Sequence, residues 1–331
     1  MQEVLVVGAT GTLGYHATLE LHRRGYAVTG LALPEPGAAH LLPAGVELVL
    51  EDLNAMSDGE LANLLVGKHA VVYAAGFDDR VVPDSPAAHF FYEVNVRPVQ
   101  RVVRVARATR VARFVLFGSH TVEWGEMWPE LGFRTRNGYP RTRFVQEEVA
   151  VLEGEGAMTV SVLRLPYVFG TTPGRTSLWQ VFVDRVAAQK GDVVVQGGST
   201  SSVTVRQVAQ ATVGAIERGV HGGRYAINGY DLSYAELHRV ICRELGRSPG
   251  DVVVAPLEPQ LASMERYDSA TASMGKEHGI HMADAVRFQD RYACTPTRLT
   301  QDVLGYEDDD VPAAMTETIR ECVARHAARR T

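Results

Sequence analysis

The sequence has few cysteines and no excess of positive charge. Cys242, Cys294 and Cys322 are the only cysteines in 331 residues, and they are far apart. Such cysteines suit a reducing compartment, and their spacing is not that of metal ligands. The net charge is −6, which gives no electrostatic basis for binding nucleic acid or an anionic membrane surface.

Long apolar runs are also absent. No stretch is long enough to cross a bilayer, and the first residues form a strand pattern rather than a basic segment followed by an apolar one. The composition, 46% hydrophobic and 22% charged, is typical of a globular protein that forms one large domain or two lobes. We therefore expect a cytoplasmic protein that binds neither membranes nor nucleic acid.

Glycines are placed in a regular pattern directly after the first predicted strand. The apolar run 4–7 ends at Gly8, Gly11 and Gly14 follow at three-residue steps, and a helical pattern begins there. In a dinucleotide-binding turn these glycines make the tight turn, let the backbone approach a pyrophosphate, and let the helix pack closely on the strand. The free N–H groups of the helix N-terminus also attract phosphate. The pattern predicts a dinucleotide site; an ordinary strand–helix turn is the alternative.

Strand and helix patterns alternate through the first half of the chain. This alternation predicts βαβ units and an α/β fold with a doubly wound parallel Rossmann sheet over residues 1–168. Strands are predicted at 27–33, 46–50, 70–76, 113–117 and 160–165, and long helices at 87–108 and 139–154.

The second half has a different pattern. A helix at 206–218 and a strand at 224–228 indicate that segments near 203–230 return to the sheet, whereas 256–296 is predicted to be irregular. We expect residues 169–331 to form mainly a smaller C-terminal substrate lobe.

Ligands in open α/β sheets bind at the carboxyl ends of the strands, where this chain has a specific set of residues. The fourth strand ends in the small residues 74–76, and the fifth ends at Ser119. Tyr139 and Arg143 follow at a spacing that puts them on one helix face.

These motifs resemble the extended short-chain dehydrogenases/reductases, in the broad NAD-dependent epimerase/dehydratase and 3β-hydroxysteroid dehydrogenase-like group, over nearly the whole chain. The matching segments are the glycine motif, Asp52-Leu53, Tyr73-Ala74-Ala75-Gly76, Asn95-Val96, Ser119-His120-Thr121-Val122, Tyr139-Pro140-Arg141-Thr142-Arg143 and Arg164-Leu165-Pro166-Tyr167-Val168-Phe169-Gly170.

The resemblance implies NAD or NADP as cofactor, a small-molecule substrate, no metal, and a homodimer formed through the helices near 87–108 and 139–154. The implied catalytic residues are Ser119, Tyr139, Arg143 and Asn95. The implied cofactor contacts are Gly8, Thr10, Gly11, Thr12, Leu13, Gly14, Asp52, Leu53, Ala74, Ala75, Gly76, Asn95, Tyr139, Arg143, Pro166 and Val168.

One position departs from the family motif, because Arg143 stands where the family has lysine. The family lysine lowers the pKa of the tyrosine, which is about 10 in a free side chain, and holds the nicotinamide ribose. Arginine keeps the positive charge but is bulkier and planar, so the electrostatic role can persist without the ribose contacts. The alternative is that Tyr139 and Arg143 only share a helix face in a protein that has lost the chemistry.

The end of the second strand leaves the choice of cofactor open. An acid there favours NAD and a basic residue favours NADP. The strand continues as Leu33-Pro34-Glu35, so Glu35 is a late acid between two prolines, and the sequence does not decide between the two cofactors.

Two other groups have ordinary alternatives. His278, His281 and Asp284 lie three residues apart, but we expect surface residues of the lobe rather than metal ligands. Glu123 and the tryptophans Trp124, Trp128 and Trp179 could line a substrate pocket or only pack.

The sequence therefore predicts an NAD(P)-dependent oxidoreductase that transfers hydride at a carbonyl or alcohol carbon. A sugar-nucleotide-type epimerase/dehydratase of the same family and a non-catalytic dinucleotide-binding regulator are the alternatives.

Overall fold

The computed structural model describes residues 2–329. Met1, Arg330 and Thr331, the outermost residues of the predicted domains, lie outside this range. The strands of the described part are β1 (Glu3–Val7), β2 (Ala27–Ala32), β3 (Glu47–Leu50), β4 (Ala70–Tyr73), β5 (Arg113–Ser119), β6 (Thr159–Leu165), β7 (Tyr167–Phe169), β8 (Val193–Val195), β9 (Ser199–Thr204), β10 (Gly223–Ala226), β11 (Tyr230–Ser233), β12 (Val252–Val254) and β13 (Tyr292–Ala293).

Helices connect these strands. They are α1 (Thr12–Arg23), α2 (Asp58–Leu65), α3 (Ala87–Phe91), α4 (Arg97–Ala108), α5 (His120–Met127), α6 (Phe133–Arg136), α7 (Gly138–Gly154), α8 (Gln180–Ala188), α9 (Val205–Arg218), α10 (Tyr234–Glu244), α11 (Leu257–Ser273), α12 (Met282–Gln289), α13 (Thr297–Leu304) and α14 (Val311–Ala328). None of the helices within residues 2–329 is long and apolar enough to cross a membrane.

The central sheet has seven parallel strands in the order β10-β6-β5-β4-β1-β2-β3. The apolar side chains on its two faces form separate cores, one beneath α1 and α9 and one beneath α2, α4 and α7. The predicted α/β fold with a doubly wound sheet is therefore confirmed. The order of the strands reverses between β1 and β4, because β2 and β3 are added on one side of β1 whereas β4, β5 and β6 are added on the other. A ligand crevice is expected outside the carboxyl ends of β1 and β4.

A smaller unit is built on the later part of the chain. In it β7, β11 and β13 pair with β9, and β8 pairs with β12. Its core is formed by side chains of α8, α10 and α14 around Phe169 and Trp179. Meanwhile β10 pairs with β6, so part of the second half of the chain lies in the central sheet.

Two sequence predictions of local structure are wrong. Residues 256–296 are not irregular, because they contain α11 and α12; in α11 only Thr271 is buried, so the helix has no apolar periodicity to detect. The helix predicted at 87–108 is also not uniform, because a π-helical turn at Tyr92–Val96 separates α3 from α4. Such turns often occur at functional positions.

Candidate active site

In the glycine turn at the end of β1, Gly8 and Gly14 are closely packed, whereas Gly11 faces open space. Gly8 has a φ of +84°, and a Cβ there would lie 3.0 Å from the Ala75 nitrogen. A Cβ on Gly14 would lie 2.1 Å from the Gly8 carbonyl oxygen. At Gly11, the N-cap of α1, a Cβ would approach only the Gly8 oxygen, at 3.4 Å. The structure therefore requires glycine at 8 and 14 and leaves space over Gly11, which fits a bound pyrophosphate.

The other predicted cofactor contacts lie along the same carboxyl edge of the sheet. Thr10 is in the turn, and Thr12 and Leu13 begin α1. The remaining pairs follow β3, β4 and β6: Asp52 and Leu53, Ala74 and Ala75, and Pro166 and Val168. The structure thus brings these residues to one edge, as a dinucleotide extended across the crevice would need.

Ser119 and Tyr139 form the centre of the site. Ser119 ends β5, and its Oγ lies 2.9 Å from Thr121 Oγ1. Tyr139, in the first turn of α7, is 5% exposed and its phenol interacts with the Ser119 hydroxyl. The Ser119 hydroxyl therefore lies at the phenol and the Thr121 hydroxyl lies next to Ser119, where a substrate oxygen could be bound.

Arg143 is buried beside the phenol, near the end of β4. Its Nη2 donates to the Phe117 carbonyl, and its guanidinium carbon lies 5.7 Å from the centre of the Tyr139 ring. A Cβ on Gly76 would lie 3.8 Å from Arg143 Nη1. The cation therefore lies between the tyrosine and the small residues of the fourth strand.

The pKa of Tyr139 is raised above its ordinary value. Burial raises it most, the Arg143 charge lowers it, and Asp79 raises it again, whereas the interaction with Ser119 lowers it. Arg143 thus acts in the direction expected of the family lysine, but burial outweighs it. In this arrangement the phenol is protonated near neutral pH.

Asn95 connects the π-helical turn to the loop after β4. Its Oδ1 accepts from the Phe77 nitrogen at 2.9 Å, and its Nδ2 donates to the Phe77 oxygen at 2.9 Å. Its own carbonyl accepts from Gln146 Nε2 at 2.7 Å. Asn95 therefore fixes the loop that follows Gly76 and also contacts α7.

Sequence reasoning missed Asp79 and Thr121. Thr121 could have been found from its position two residues after Ser119. Asp79 follows the end of β4, and its pKa is raised, mainly by burial, in spite of the nearby Arg80 and Arg143 charges. The only sequence signal for Asp79 is its place after a strand that ends at the ligand edge.

Trp124 and Trp179 are buried and pack, and Glu123 forms an ion pair, whereas Trp128 lines a surface pocket with Leu131 and Leu257. Trp124 stacks on Phe288 at 5.6 Å, and Trp179 stacks on Phe169 at 4.6 Å. Glu123 forms an ion pair with the buried Arg164 at 2.6 Å. This arrangement favours the packing alternative for Trp124 and Trp179.

The prediction that Asp284 is a surface residue is wrong. Asp284 is buried and accepts hydrogen bonds from Arg136 at 2.6 Å and from Asn137 at 2.8 Å, and it pairs with Arg287. Within residues 2–329 no group of three or more His, Cys, Asp or Glu side chains is arranged to hold a metal ion.

Sequence comparison finds a matching family profile and a curated relative. The sequence profile described as the NAD dependent epimerase/dehydratase family matches residues 4–228. A curated relative, sterol demethylase protein B of Methylococcus capsulatus, is 26% identical over 244 residues, which are 70% of this chain and 71% of the relative.

Solved structures share the fold over nearly the whole length. A nucleoside-diphosphate-sugar epimerase from Pseudomonas aeruginosa has a TM-score of 0.72 at 17% identity, covering 98% of both chains. A UDP-glucose 4-epimerase from Bifidobacterium longum, in complex with NAD+ and UDP, has a TM-score of 0.67 at 16% identity, covering 98% of this chain and 99% of the other.

Proposed function

We propose that this chain, which belongs to the NAD dependent epimerase/dehydratase family, is an NAD(P)-dependent oxidoreductase acting on a carbonyl or alcohol carbon of a small molecule. The proposal depends on one observation: Ser119, Tyr139 and Arg143 lie together beside the glycine turn, where the strand order of the sheet reverses. The open space over Gly11 in the glycine turn is what a dinucleotide needs. Bound NAD or NADP would supply or accept the hydride at its nicotinamide ring.

The side chains of the site orient the substrate, transfer the proton and stabilise the resulting charge. Ser119 and Thr121 orient the substrate oxygen through their hydroxyls. Tyr139, protonated near neutral pH, donates its proton to a carbonyl oxygen in the reductive direction. The Arg143 charge stabilises the phenolate that results, and Asn95 fixes the loop against which the substrate lies.

The test is the substitution Tyr139→Phe, with turnover followed as the change in absorbance of reduced nicotinamide. The probes are UDP-glucose and a 3β-hydroxysterol, chosen from the names of the related proteins. We expect turnover to fall by a factor of roughly a hundred or more, because the proton donor is lost. Undiminished turnover in Tyr139→Phe would refute the proposal.

An epimerase or dehydratase is the second candidate, and the family description favours it. In that reaction the same site would return the hydride, so substrate would be converted without lasting change in nicotinamide absorbance. Chromatography of the products distinguishes the two outcomes. A chain that is inactive with all probes and becomes active as Arg143→Lys would instead indicate a non-catalytic dinucleotide-binding protein.

A further inference from the structure

Arg175 lies at the mouth of the glycine turn although it is far from it in sequence. Its Nε donates to the Thr10 carbonyl at 2.8 Å, and its Nη1 forms an ion pair with Glu35. Thr10 belongs to the glycine turn, and Glu35 follows the end of β2. A side chain from the segment after β7 therefore links the two parts of the fold between which an adenosine ribose would lie.

The segment that carries Arg175 is held from both sides. The Thr171 carbonyl lies 2.9 Å from Nε2 of His16 on α1, and Arg325 of α14 donates to the Arg175 carbonyl at 2.9 Å. The Arg175 side chain is 26% exposed and that of Glu35 is 45% exposed. The ion pair is therefore pre-positioned and still accessible to a ligand.

The position of this pair determines what it can recognise. In doubly wound folds, an acid after β2 binds the ribose 2′-hydroxyl of NAD, and a nearby arginine accommodates the 2′-phosphate of NADP. The Leu31 carbonyl accepts hydrogen bonds from the Gly8 and Ala9 nitrogens, which fixes the end of β2 against the turn. An acid, Glu35, and an arginine, Arg175, are thus both present at the end of β2, and their charges neutralise each other.

We propose that Glu35 and Arg175 together select the cofactor, with Glu35 favouring NAD and keeping Arg175 from a 2′-phosphate. Glu35 can accept a bond from a 2′-hydroxyl while it stays paired with Arg175. A 2′-phosphate would have to displace Glu35 from Arg175 against like-charge repulsion. This inference rests on the proposed function, because it requires a dinucleotide at the glycine turn.

The experiment is calorimetric titration of the full chain with NAD+ and with NADP+, which needs no substrate. The variants are Glu35→Gln, Arg175→Met and the double substitution. We expect the unsubstituted chain to bind NAD+ more tightly, and Glu35→Gln to shift the ratio of dissociation constants toward NADP+ by roughly tenfold or more. Adding Arg175→Met should cancel this gain, because the freed guanidinium is its source.

Glu307→Gln is the matched control, because it removes an equally charged carboxylate from an exposed ion pair with Arg206, away from the glycine turn. The ratio of its dissociation constants for NAD+ and NADP+ should equal that of the unsubstituted chain. The inference is wrong if Glu35→Gln leaves the ratio unchanged, if Glu307→Gln shifts it equally, or if the unsubstituted chain prefers NADP+. Failure to bind either dinucleotide would instead overturn the proposed function itself.

Discussion

Tyr139 is subject to opposing charges, and these can be separated by substitution. Burial raises its pKa, Arg143 lowers it and Asp79 raises it. In Asp79→Asn a negative charge near the phenol is lost, so we expect the pKa of Tyr139 to fall. In Arg143→Met it should rise, because the neighbouring cation is lost.

Both shifts can be measured from the absorbance of ionised tyrosine during alkaline titration, after subtraction of the same titration for Tyr139→Phe. In the reductive direction the protonated phenol is the active form, so turnover falls as the pH passes the pKa. This alkaline limb should therefore move to lower pH in Asp79→Asn. Movement to higher pH would contradict the assigned effect of Asp79.

The residues that could be found from sequence are those that belong to a recognisable local motif. Periodicity and strand order put Tyr139 and Arg143 on one helix face and Ser119 at the end of a strand, and the resemblance to the family then implied their catalytic roles. Arg175 could not be found in this way. It reaches Thr10 and Glu35 only through the packing of its segment on α1 and α14, which no local pattern encodes.

At the scale of elements, the start of α7 is held by a turn from the second half of the chain. The Tyr139 nitrogen, one of the first N–H groups of the helix, donates to the Gly279 carbonyl at 2.9 Å. The Asn137 side chain accepts from the His281 nitrogen at 2.8 Å. The turn between α11 and α12 therefore positions the helix that carries the proposed acid.

Gly279→Ala tests this positioning role. A Cβ there would lie 2.5 Å from Phe91 Cε2 and 2.9 Å from the Tyr139 Cβ, so the tyrosine must move. We expect kcat to fall by roughly ten- to a hundredfold, because small displacements of catalytic groups are costly. The dissociation constant for the dinucleotide should change far less than kcat, because the glycine turn is untouched.

Gly275→Ala is the control in the same turn. Gly275 has a φ of +70° and open space around its Cβ position, so alanine there costs about 1 kcal/mol of stability through backbone strain without touching Tyr139. Its kcat should be nearly normal although its melting temperature falls. Equal losses of kcat in the two variants would mean that the turn acts only through general stability.

The elements also show what a hydrophobic pattern can and cannot reveal. The central strands were predictable because their apolar runs are buried on both faces. Helix α11 was not, since it buries only Thr271, and its good helix formers were the only signal. The π-helical turn at Tyr92–Val96 was also invisible, because it changes the hydrogen bonding of the helix rather than its apolar spacing.

At the scale of the whole molecule, the division into a cofactor domain and a substrate lobe stays a prediction, as does the homodimer. The structure shows how the two halves of the sequence are joined. The central sheet takes β10 from the second half, and the turn between α11 and α12 packs on α3 and α7 of the first half. Contacts between the two halves should therefore affect both the stability of the fold and the geometry of the active site.

Asp284 joins the two halves through hydrogen bonds from Arg136 and Asn137. Burial alone would raise the pKa of its carboxyl, but the bonds from Arg136, Asn137 and Arg287 outweigh it, and the pKa is lowered. A lowered pKa means that the ionised form stabilises the fold. This contribution is complete above the pKa of the unfolded carboxyl, about 4, and is lost as the pH falls through the lower value of the folded state.

We therefore expect Asp284→Asn to lower the free energy of unfolding by about 2 kcal/mol at neutral pH, because the buried ion pairs lose their shared partner. Urea denaturation across a pH series measures this, with Asp192→Asn, an exposed substitution before β8, as the control. The difference between Asp284→Asn and the unsubstituted chain should shrink as the pH falls from about 4 toward the lower pKa of the folded state, because the unfolded carboxyl takes up a proton in this range while the native carboxyl is still ionised. A difference that is independent of pH would show that Asp284 acts through packing and not through its charge.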